Sequence, residues 1–524
     1  MPHWTPPTSS ESEGKADDGK RGIQKGGRPR WVRRSRVGRR REHDAHDEDD
    51  DGGCEHPQIA VHVGSSRAAR SRRNGNEQPE GKPDRQQRID DDDEIGDGPG
   101  EGDEQSDRAQ SAQQHVQTNT EHGARGKQRH RTPLQPSSRL SERYEANILI
   151  KREDMQAVRS FKIRGAYNKI ASLPPEDRKR PIVCASAGNH AQGVAFACAH
   201  LGIGGTIVMP RITPTQKIER VAHFGGECVE IRLAGESYDE ASQTAEEYCQ
   251  QTHGIFVHPF DDIQTIAGQG TVGKEIYEAT GGEVGAVVLP IGGGGLASGV
   301  ASYIKERNSS VAVIGAEPAG SPSMYESLKQ GRVVSLPEIH TFVDGAAVRT
   351  VGRLTFDLCR KYVDRVVVIP EGKVCTTMIE LYQNEGIISE PAGALSLSAL
   401  DDAAAEIKGK TVVCILSGGN NDILRYPEIM ERSLVYQGRK HYFIIEFAQK
   451  PGQLRQFVDD ALGPTDDIVR FEYIKKTNKE RGAALVGIEL KDKADLEPLL
   501  RRMEQIPLNF RPLGSEDLLY DYIV

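Results

Sequence analysis

The sequence predicts an α/β protein with parallel sheets, followed by a smaller α+β module and preceded by a disordered tail. From Thr132 onward, short β-branched runs alternate with amphipathic stretches of helical length. Strands separated by such helices are typical of parallel sheets with right-handed crossovers. From His441 the order changes to strand, helix, strand, strand, helix, strand. Residues 1–130 contain no leucine, phenylalanine or tyrosine, so they lack the apolar surface that would offset the entropy of ordering.

The tail also carries both tryptophans, Trp4 and Trp31, and alternates basic runs with acidic ones. The basic run from Arg28 to Arg41 suits nucleic acid or an anionic membrane, but the acidic run from Asp44 to Asp51 competes with such partners. We therefore expect a solvated tail that binds neither. It has no apolar stretch of the secretory kind, and its many acids disfavour a transit peptide. Because no apolar run in the chain approaches the roughly 18 residues of a membrane span, we expect a cytoplasmic protein.

Cysteine spacing argues against two kinds of site. No two of the eight cysteines form a CxxC pair, so the sequence indicates neither a zinc site nor a redox dithiol. Free thiols in a reducing compartment are the expected state. Seven of the cysteines lie in the body of the chain, at Cys184, Cys198, Cys228, Cys249, Cys359, Cys375 and Cys414.

The alternating region contains candidate strands and helices. Ligands of parallel sheets bind beyond the carboxyl ends of the strands, so the residues that follow each strand are the candidates for chemistry. The candidate strands are Asn147–Lys151, Pro181–Ala185, Gly205–Met209, Cys228–Ile231, Ala286–Leu289, Val311–Ala316, Val366–Ile369 and Thr411–Leu416. The candidate helices include Ala191–Leu201, Gln216–Phe224, Tyr238–Thr252 and Leu296–Arg307.

In the C-terminal module the same patterns predict a βαββαβ order, which is ferredoxin-like. Gly452 falls at the first strand-to-helix turn, where effector-binding modules approach a ligand. A purely structural or dimerising module is the alternative. The predicted strands are His441–Phe447, Ile468–Ile474, Ala483–Glu489 and Leu508–Pro512, and the predicted helices are Pro451–Leu462 and Ala494–Glu504.

Lys162 is the candidate nucleophile, in the stretch from Ser160 to Ala166. It follows an apolar residue and precedes a short Gly-Ala helix start, so burial can lower the pKa of its amine. Only the neutral amine attacks a carbonyl to form a Schiff base. A single lysine is more commonly a solvated surface charge, so this assignment depends on the motifs at the strand ends.

The first such motif is Ser186-Ala187-Gly188-Asn189-His190, which follows Pro181–Ala185. Gly188 permits a tight turn, and Ser186 and Asn189 offer hydrogen-bonding side chains beside a helix N-terminus. This arrangement suits a carboxylate or a phenolate oxygen. An N-capping turn that binds nothing is the alternative. We expect His190 to be structural.

The second motif is a run of four glycines before a helix: Gly292, Gly293, Gly294 and Gly295, followed by Leu296. Their backbone N–H groups can converge without Cβ obstruction, which makes an anion nest strengthened by the helix dipole. No Lys-Ser/Thr pair follows, and the spacing differs from the GxGxxG fingerprint. A compact monophosphate therefore suits the run better than a nucleotide. A glycine linker is the alternative.

The third motif places a neutral hydroxyl, Ser417, directly after Thr411–Leu416. An amine, a polar pair, a phosphate nest and a neutral hydroxyl together meet the needs of pyridoxal phosphate, namely its imine, ring oxygen O3′, phosphate and ring nitrogen.

Seven motifs also occur in the order found in the threonine/serine dehydratases: SFKIRGA, SAGNHAQGVA, HPFDD, AGQGTVGKEI, GGGGLASG, EPAGA and SGGN. The chain from about Thr132 resembles this family of fold type II, tryptophan synthase β-like pyridoxal-phosphate enzymes, which have two subdomains. The part from His441 resembles the single ACT-like regulatory domain of the short-form biosynthetic threonine dehydratases. The tail is foreign to the family, and we favour translated upstream or shifted sequence over a lineage-specific extension. The expected bounds are 1–130 for the tail, 131–436 for the catalytic domain and 437–524 for the regulatory domain.

The resemblance implies a role for each candidate residue. Lys162 would form the Schiff base, Asn189 would bind the ring oxygen, and Ser417 would face the pyridine nitrogen. Gly292 to Leu296 would hold the phosphate through backbone amides. The substrate carboxylate would be held by Ser186, Ala187, Gly188 and Asn189. Some relatives bind a divalent metal through a glutamate and a downstream acid; Glu317 is present, but Ala319 to Ser323 offers no acid, so we expect no metal.

The implied activity is deaminating β-elimination of L-threonine to 2-oxobutanoate and ammonia, the first committed step of isoleucine biosynthesis. Isoleucine would act as allosteric effector on a homotetramer. Within the enzyme class, a catabolic serine/threonine dehydratase, a serine racemase and a β-replacement synthase are the alternatives. A non-catalytic amino-acid-binding regulator is the alternative from another class, and retention of Lys162 argues against it. A protein that tethers nucleic acid through its tail is a third.

Overall fold

The structure is a computed structural model that describes residues 131–475, 478–514, 517, 519–520 and 523. The tail of residues 1–130 lies outside the described residues, and with it the predicted disorder and both tryptophans. Among the described residues, every helix is too short or too polar to cross a membrane. In this part of the chain the strands form three sheets.

The larger catalytic sheet has the strand order β1-β2-β10-β7-β8-β9. Its neighbours pair in parallel, except for the antiparallel edge pair of β1 and β2. The predicted parallel sheet is confirmed, and the short edge strand β1 is the element that the alternation did not indicate. Its strands are β1 (Leu134–Pro136), β2 (Asn147–Arg152), β7 (Ala286–Pro290), β8 (Ala312–Pro318), β9 (Arg365–Ile369) and β10 (Thr411–Leu416).

The smaller catalytic sheet is parallel throughout, with the order β5-β4-β3-β6. Helices cover both of its faces, so all four residues of the Ile-Val-Cys-Ala strand β3 are buried. Such continuous apolar runs are typical of parallel strands. The strands are β3 (Ile182–Ala185), β4 (Gly205–Met209), β5 (Val229–Leu233) and β6 (Ile255–Phe256).

Helices connect the strands and pack on both sheets. Two apolar clusters lie on the larger sheet, and two lie on the smaller one. Single turns of 3-10 helix occur at Glu153–Met155, Asp177–Lys179, Gly226–Cys228 and Ile423–Arg425. The helices are α1 (Ser138–Tyr144), α2 (Lys162–Ala171), α3 (Asn189–Leu201), α4 (Thr215–Gly225), α5 (Tyr238–Gln251), α6 (Ile263–Ala279), α7 (Gly295–Arg307), α8 (Ser323–Gln330), α9 (Arg353–Tyr362), α10 (Glu371–Glu385), α11 (Pro391–Ser398), α12 (Leu400–Ile407) and α13 (Tyr426–Tyr436).

The C-terminal part has the predicted βαββαβ order and an antiparallel sheet with the order β12-β13-β11-β14. This is the ferredoxin-like arrangement. The predicted helix at Pro451–Leu462 begins later, because Gly452 is its N-cap and has φ of +88°. Its elements are β11 (Lys440–Ala448), α14 (Gln453–Ala461), β12 (Asp467–Tyr473), β13 (Arg481–Glu489), a 3-10 turn (Lys493–Asp495), α15 (Leu496–Gln505) and β14 (Asn509–Leu513).

Two other helix starts differ by two residues from the predicted ones. The third helix starts at Asn189 rather than Ala191, so the polar motif enters the first turn of α3. The last helix starts at Leu496 rather than Ala494, because Asp492 and Asp495 form a capping box around a separate 3-10 turn.

Candidate active site

A cavity of about 910 Å³ lies at the carboxyl ends of strands from both catalytic sheets. Its wall includes the turn after β3, the glycine run after β7 and the residue after β10. All of the site residues predicted from the sequence line this one cavity, although they come from separate parts of the chain. They are Lys162, Ser186, Ala187, Gly188, Asn189, Gly292, Gly293, Gly294, Gly295, Leu296 and Ser417.

Lys162 is the first residue of α2, and its Nζ donates to Pro259 O at 3.0 Å. Burial lowers the pKa of Lys162 to about 8, although the negative charge of Glu390 opposes the shift. Relative to an ordinary lysine, this increases the neutral fraction at pH 7 by about two orders of magnitude. The amine is therefore suited to attack on a carbonyl.

Close helix packing fixes the backbone around Lys162. A Cβ on Gly193 of α3 would lie 3.1 Å from Lys162 O. One on Gly165 would lie 2.7 Å from Thr265 O, and one on Gly268 would lie 2.5 Å from Arg164 O. These contacts explain Gly165 in SFKIRGA, Gly193 in SAGNHAQGVA and Gly268 in AGQGTVGKEI, because they let α2 approach α3 and α6 at backbone distance.

A buried ion network holds the same helix from the other side. Arg164 donates to Glu153 at 2.7 and 2.8 Å and to Glu275 at 2.7 and 2.9 Å. Lys151 Nζ donates to Glu275 at 2.6 Å and to Thr132 O at 2.7 Å. Burial alone would raise the pKa of Glu275, but Arg164 and Lys151 hold it below the ordinary value. With two cations facing two carboxylates, the network keeps the start of α2 in place.

The glycine run forms the turn into α7, and Gly294 has φ of +91°. A Cβ on Gly293 would lie 2.3 Å from the ring of Phe260, and one on Gly292 would lie 2.9 Å from Ala346 Cα. Among the described residues, no side chain caps α7, so its first N–H groups remain available to an anion. The sequence did not single out Phe260, although the HPFDD motif contains it.

Asn189 lies at the first turn of α3 and is hydrogen-bonded on both sides. Its Nδ2 donates to Glu390 Oε1 at 2.7 Å, and its Oδ1 accepts from Asn420 Nδ2 at 2.7 Å. The cap of α3 is Gly188, and Ser186 Oγ accepts from Gly188 N at 3.2 Å. Because no described side chain caps α3, the simple N-capping alternative does not describe this turn.

Glu390 is the principal residue of the cavity that sequence reasoning missed. It is the N-cap of α11 and is buried, and a Cβ on Gly418 would lie 2.1 Å from its Oε1. Burial raises the pKa of Glu390 to about 7, and the negative charge of Asp344 acts in the same direction. The EPAGA motif begins with this residue, so the signal was present in the sequence.

Ser417 is buried at the end of β10, and its hydroxyl donates to Ala392 O at 3.2 Å. A hydroxyl carries one proton and two acceptor lone pairs, so a rotation about its bond would redirect the proton into the cavity. Ser417 O also accepts from Phe161 N at 3.1 Å, which links this strand end to the residue before Lys162.

Two further predicted residues have structural contacts. His190 Nε2 lies 2.8 Å from Val257 O, and burial lowers the pKa of His190 to about 3. Glu317 accepts from the backbone N–H groups of Met324 and Tyr325 at 2.8 and 2.7 Å, where α8 begins. Within the described chain, no cluster of His, Cys, Asp and Glu could hold a metal ion. The absence of a metal stays a prediction.

The residues present fit pyridoxal phosphate. The cavity offers a half-buried lysine amine of lowered pKa, an amide donor, a glycine cradle that a Cβ would fill, and a neutral hydroxyl. These are the groups that the aldehyde, ring oxygen, phosphate and ring nitrogen of this cofactor require.

Comparison with known proteins agrees with this fit. Residues 127–418 match the family model described as "Pyridoxal-phosphate dependent enzyme". Residues 431–523 match the one described as "C-terminal regulatory domain of Threonine dehydratase". The chain is 52% identical over 393 residues to a Halalkalibacterium halodurans protein named L-threonine dehydratase biosynthetic IlvA, covering 75% of this chain and 95% of that one. A Bacillus subtilis protein of the same name is 51% identical, covering 75% and 93%.

Solved structures are similar over part of the chain. The processed form of threonine deaminase isoform 2 from Solanum lycopersicum has a TM-score of 0.58 and 36% identity, covering 63% of this chain and 89% of that one. Maize serine racemase has a TM-score of 0.54 and 32% identity, covering 63% and 98%. The chain therefore belongs to the pyridoxal-phosphate-dependent threonine dehydratases, with pyridoxal phosphate as its cofactor.

Proposed function

We propose that the chain catalyses deaminating β-elimination of L-threonine to 2-oxobutanoate and ammonia, as the first committed step of isoleucine biosynthesis. The observation that carries the proposal is the amine of the half-buried Lys162, whose pKa is lowered, in one cavity with the glycine cradle and Asn189. The identity of 52% with a relative named L-threonine dehydratase supports the choice of substrate.

Pyridoxal phosphate, when bound, supplies an aldehyde that links to amines and a ring that takes up the electron pair released at the substrate α-carbon. Lys162 Nζ would hold the cofactor through its aldehyde, and the same nitrogen, when free, would remove the proton from threonine Cα. The amides of Gly292 to Leu296 would bind the phosphate, and Asn189 would donate to the ring oxygen. The neutral Ser417 would leave the ring nitrogen unprotonated, which would favour loss of the β-hydroxyl over racemisation.

The turn from Ser186 to Asn189 binds the substrate carboxylate in this proposal. Its support is the start of α3, which no described side chain caps and whose N–H groups can therefore take a negative charge. Removal of the α-proton and departure of the β-hydroxyl, which takes up a proton and leaves as water, would give an enamine product, and one water would hydrolyse that product to 2-oxobutanoate and ammonia.

The C-terminal module would bind isoleucine as a feedback effector, and contacts to the catalytic part support this role. Tyr442 of β11 donates to Glu431 of α13 at 2.7 Å. Arg432 of α13 and the preceding Arg425 contact the ring of Phe342, with their guanidinium carbons 4.6 and 4.8 Å from its centroid. Phe342 lies close in sequence to Asp344 and Ala346, which line the cavity. A shift of β11 would thus reach the substrate site through packed side chains.

We also propose the domain bounds 131–436 and 437–524, supported by the end of α13 at Tyr436 and the start of β11 at Lys440. The chain would act in the cytoplasm, since the seven described cysteines are free thiols.

A homo-oligomer, expected to be a tetramer, is supported by exposed apolar side chains on α10, on α13 and beside them. These are Tyr382, Ile388, Ile423, Leu424 and Met430, of which Leu424 is 82% exposed.

Serine racemase is the second candidate activity, because a maize serine racemase is among the similar structures. That protein is matched over 98% of its own length but only 63% of this chain, so the likeness gives no counterpart for the regulatory part. The test is a product assay on the purified full chain with L-threonine and L-serine, each with and without isoleucine. We expect 2-oxobutanoate from threonine and its suppression by isoleucine. Formation of D-serine without 2-oxobutanoate would favour the racemase.

A further inference from the structure

A chain of four polar side chains crosses the cleft between the two catalytic sheets. Arg220 of α4 donates to Asn420 Oδ1, Asn420 Nδ2 donates to Asn189 Oδ1 at 2.7 Å, and Asn189 Nδ2 donates to Glu390 Oε1 at 2.7 Å. Arg220 and Asn189 belong to the helices of the smaller sheet. Asn420 follows β10 of the larger sheet. Glu390 precedes α11, and this helix packs on the larger sheet.

The chemistry of the first member fixes the orientation of the next two. A guanidinium has donors and no acceptor, so the oxygen of Asn420 must face Arg220 and its nitrogen must face Asn189. Val158 O, a pure acceptor, lies 2.8 Å from the same nitrogen and requires the same orientation. The oxygen of Asn189 is therefore the acceptor for Asn420, and its nitrogen faces Glu390.

One donor in this chain has a free direction. The Asn189 nitrogen carries two hydrogens, and Glu390 takes one of them. Among the described residues, no acceptor takes the other, and Asn189 lines the cavity. If the amide were reversed, its oxygen would present a lone pair to the same place.

We propose that Arg220 and Asn420 are positioning residues that hold Asn189 as a hydrogen-bond donor toward the ring oxygen of pyridoxal phosphate. The inference rests on the proposed function of Asn189. It extends that function to two residues to which the family resemblance assigns no role. An anionic ring oxygen needs a donor at this position, and a hydrogen bond to a charged acceptor is among the stronger ones. The order of donors that begins at Arg220 excludes the repulsive orientation.

The test uses two variants that are designed to reverse the direction of these hydrogen bonds. Asn420→Asp removes the donor to Asn189, and Arg220→Glu replaces the cation by an acceptor on the partly exposed α4. In both variants Asn189 is expected to turn its nitrogen toward residue 420 and its oxygen toward the cofactor and Glu390, whose buried carboxyl then carries the proton that this contact needs. Arg220→Lys keeps a donor of the same charge and is the conservative control.

Each purified full-length holoenzyme is dialysed against a series of pyridoxal phosphate concentrations, and its visible absorbance is followed with pH. We expect the cofactor Kd to rise about tenfold or more in the two reversing variants, as for loss of one hydrogen bond to a charged group. The pH midpoint of the visible band should shift with it. Arg220→Lys should stay within about twofold of the original Kd.

A purely structural link would lower the melting temperature without moving the pH midpoint of the band. An unchanged cofactor Kd and pH midpoint in both reversing variants would overturn the inference. If Asn420→Asp does not fold, Arg220→Glu decides alone. The product assay with threonine is independent: cofactor binding that responds as expected, without 2-oxobutanoate, would reject the proposed activity and leave the positioning role standing.

Discussion

The catalytic part and the C-terminal module bury their sheets in different ways. The central strands of the parallel sheets are covered on both faces, and all five residues of β7 are buried. In β11 of the module, Phe443, Ile445 and Phe447 face the helices, whereas Ile444 and Glu446 face away and are only partly buried. A parallel sheet covered on both faces leaves its strand ends as the place for a ligand, whereas the antiparallel sheet keeps an open face.

This difference between the two sheets affects which groups can form a functional site in each part. In the catalytic part, the backbone supplies much of the site through glycines at the strand ends and helix N-termini, and Lys162 adds its side-chain amine at the start of α2. In the module, side-chain contacts such as Tyr442 with Glu431 reach the catalytic part, beside the backbone hydrogen bonds at the end of α13. Substitutions at backbone-defined positions should therefore have large effects on chemistry, and those in the module should act on regulation.

The largest effect is expected for Lys162→Ala, which removes both the cofactor linkage and the base for Cα. Turnover of threonine should fall by at least about 1,000-fold, and the visible absorbance of the bound cofactor should change. The measurement is 2-oxobutanoate formation together with the absorbance spectrum. Lys169→Ala, on the same helix, removes a lysine that pairs with Asp262 at 2.5 Å and should keep activity within a few-fold. Near-normal activity in Lys162→Ala would refute the assigned nucleophile.

Gly293→Ala tests the cradle. The added Cβ would lie 2.3 Å from the ring of Phe260, so the turn into α7 would have to shift. We expect the affinity for pyridoxal phosphate to fall about tenfold or more, in line with the usual cost of overpacking. Gly204→Ala is the matched control, because no described atom lies within 4 Å of its added Cβ. Equal cofactor affinity in both variants would remove the glycine run from the phosphate site.

Local patterns account for what could be predicted from the sequence. The strands, the α/β alternation and the βαββαβ order follow from hydrophobic periodicity, and the glycine run and Lys162 lie in short contiguous motifs. Glu390 and Asn420 lie in the EPAGA and SGGN motifs and Arg220 lies in none, but the contacts among these residues were missed because the partners are far away along the chain. Asn189 is separated from Glu390 by 201 residues and from Asn420 by 231, and Arg220 is 200 residues from Asn420. Only the folded cleft brings such groups together.

Glu390→Gln should change the pH dependence of the free energy of unfolding more than it changes the activity at any one pH. Burial holds the pKa of Glu390 at about 7 in the folded protein, against an ordinary value of 4.5. The folded state thus binds the proton more tightly, and this contribution to stability is complete below pH 4.5 and lost as pH rises through about 7. The amide of the variant stays neutral at every pH. The free energy of unfolding should therefore fall by about 1–3 kcal/mol over this range in the original protein but not in the variant.

Denaturant unfolding of holoenzyme from pH 4.5 to 8 measures this difference directly. Glu227→Gln, which removes an exposed carboxylate, provides the control and should follow the original protein. The free energy of unfolding could instead depend on pH in the same way in Glu390→Gln and in the original protein. That result would show that Glu390 is ionised over the whole range and that its pKa is not raised.

The smallest effect is expected in the module, for Tyr442→Phe. The variant loses the hydrogen bond of 2.7 Å to Glu431 but keeps the ring, which packs so closely that a Cβ on Gly487 would lie 2.7 Å from it. Because Lys440 also pairs with Glu431, the junction between α13 and β11 should be weakened rather than broken. We expect unchanged turnover without isoleucine and a loss of about 0.5–1 kcal/mol of coupling, seen as roughly a two- to fivefold weaker inhibition by isoleucine.

Tyr473→Phe is the control for Tyr442→Phe, since Tyr473 packs on Phe447 within the module, away from α13. Its response to isoleucine should match that of the original protein. Equal inhibition in all three proteins would show that the Tyr442 contact carries no coupling. Removal of residues 438–524 then gives the limiting case, an assembled enzyme that keeps its chemistry and ignores isoleucine. If that enzyme were still inhibited, the effector would bind the catalytic part, and the module would have only a structural role.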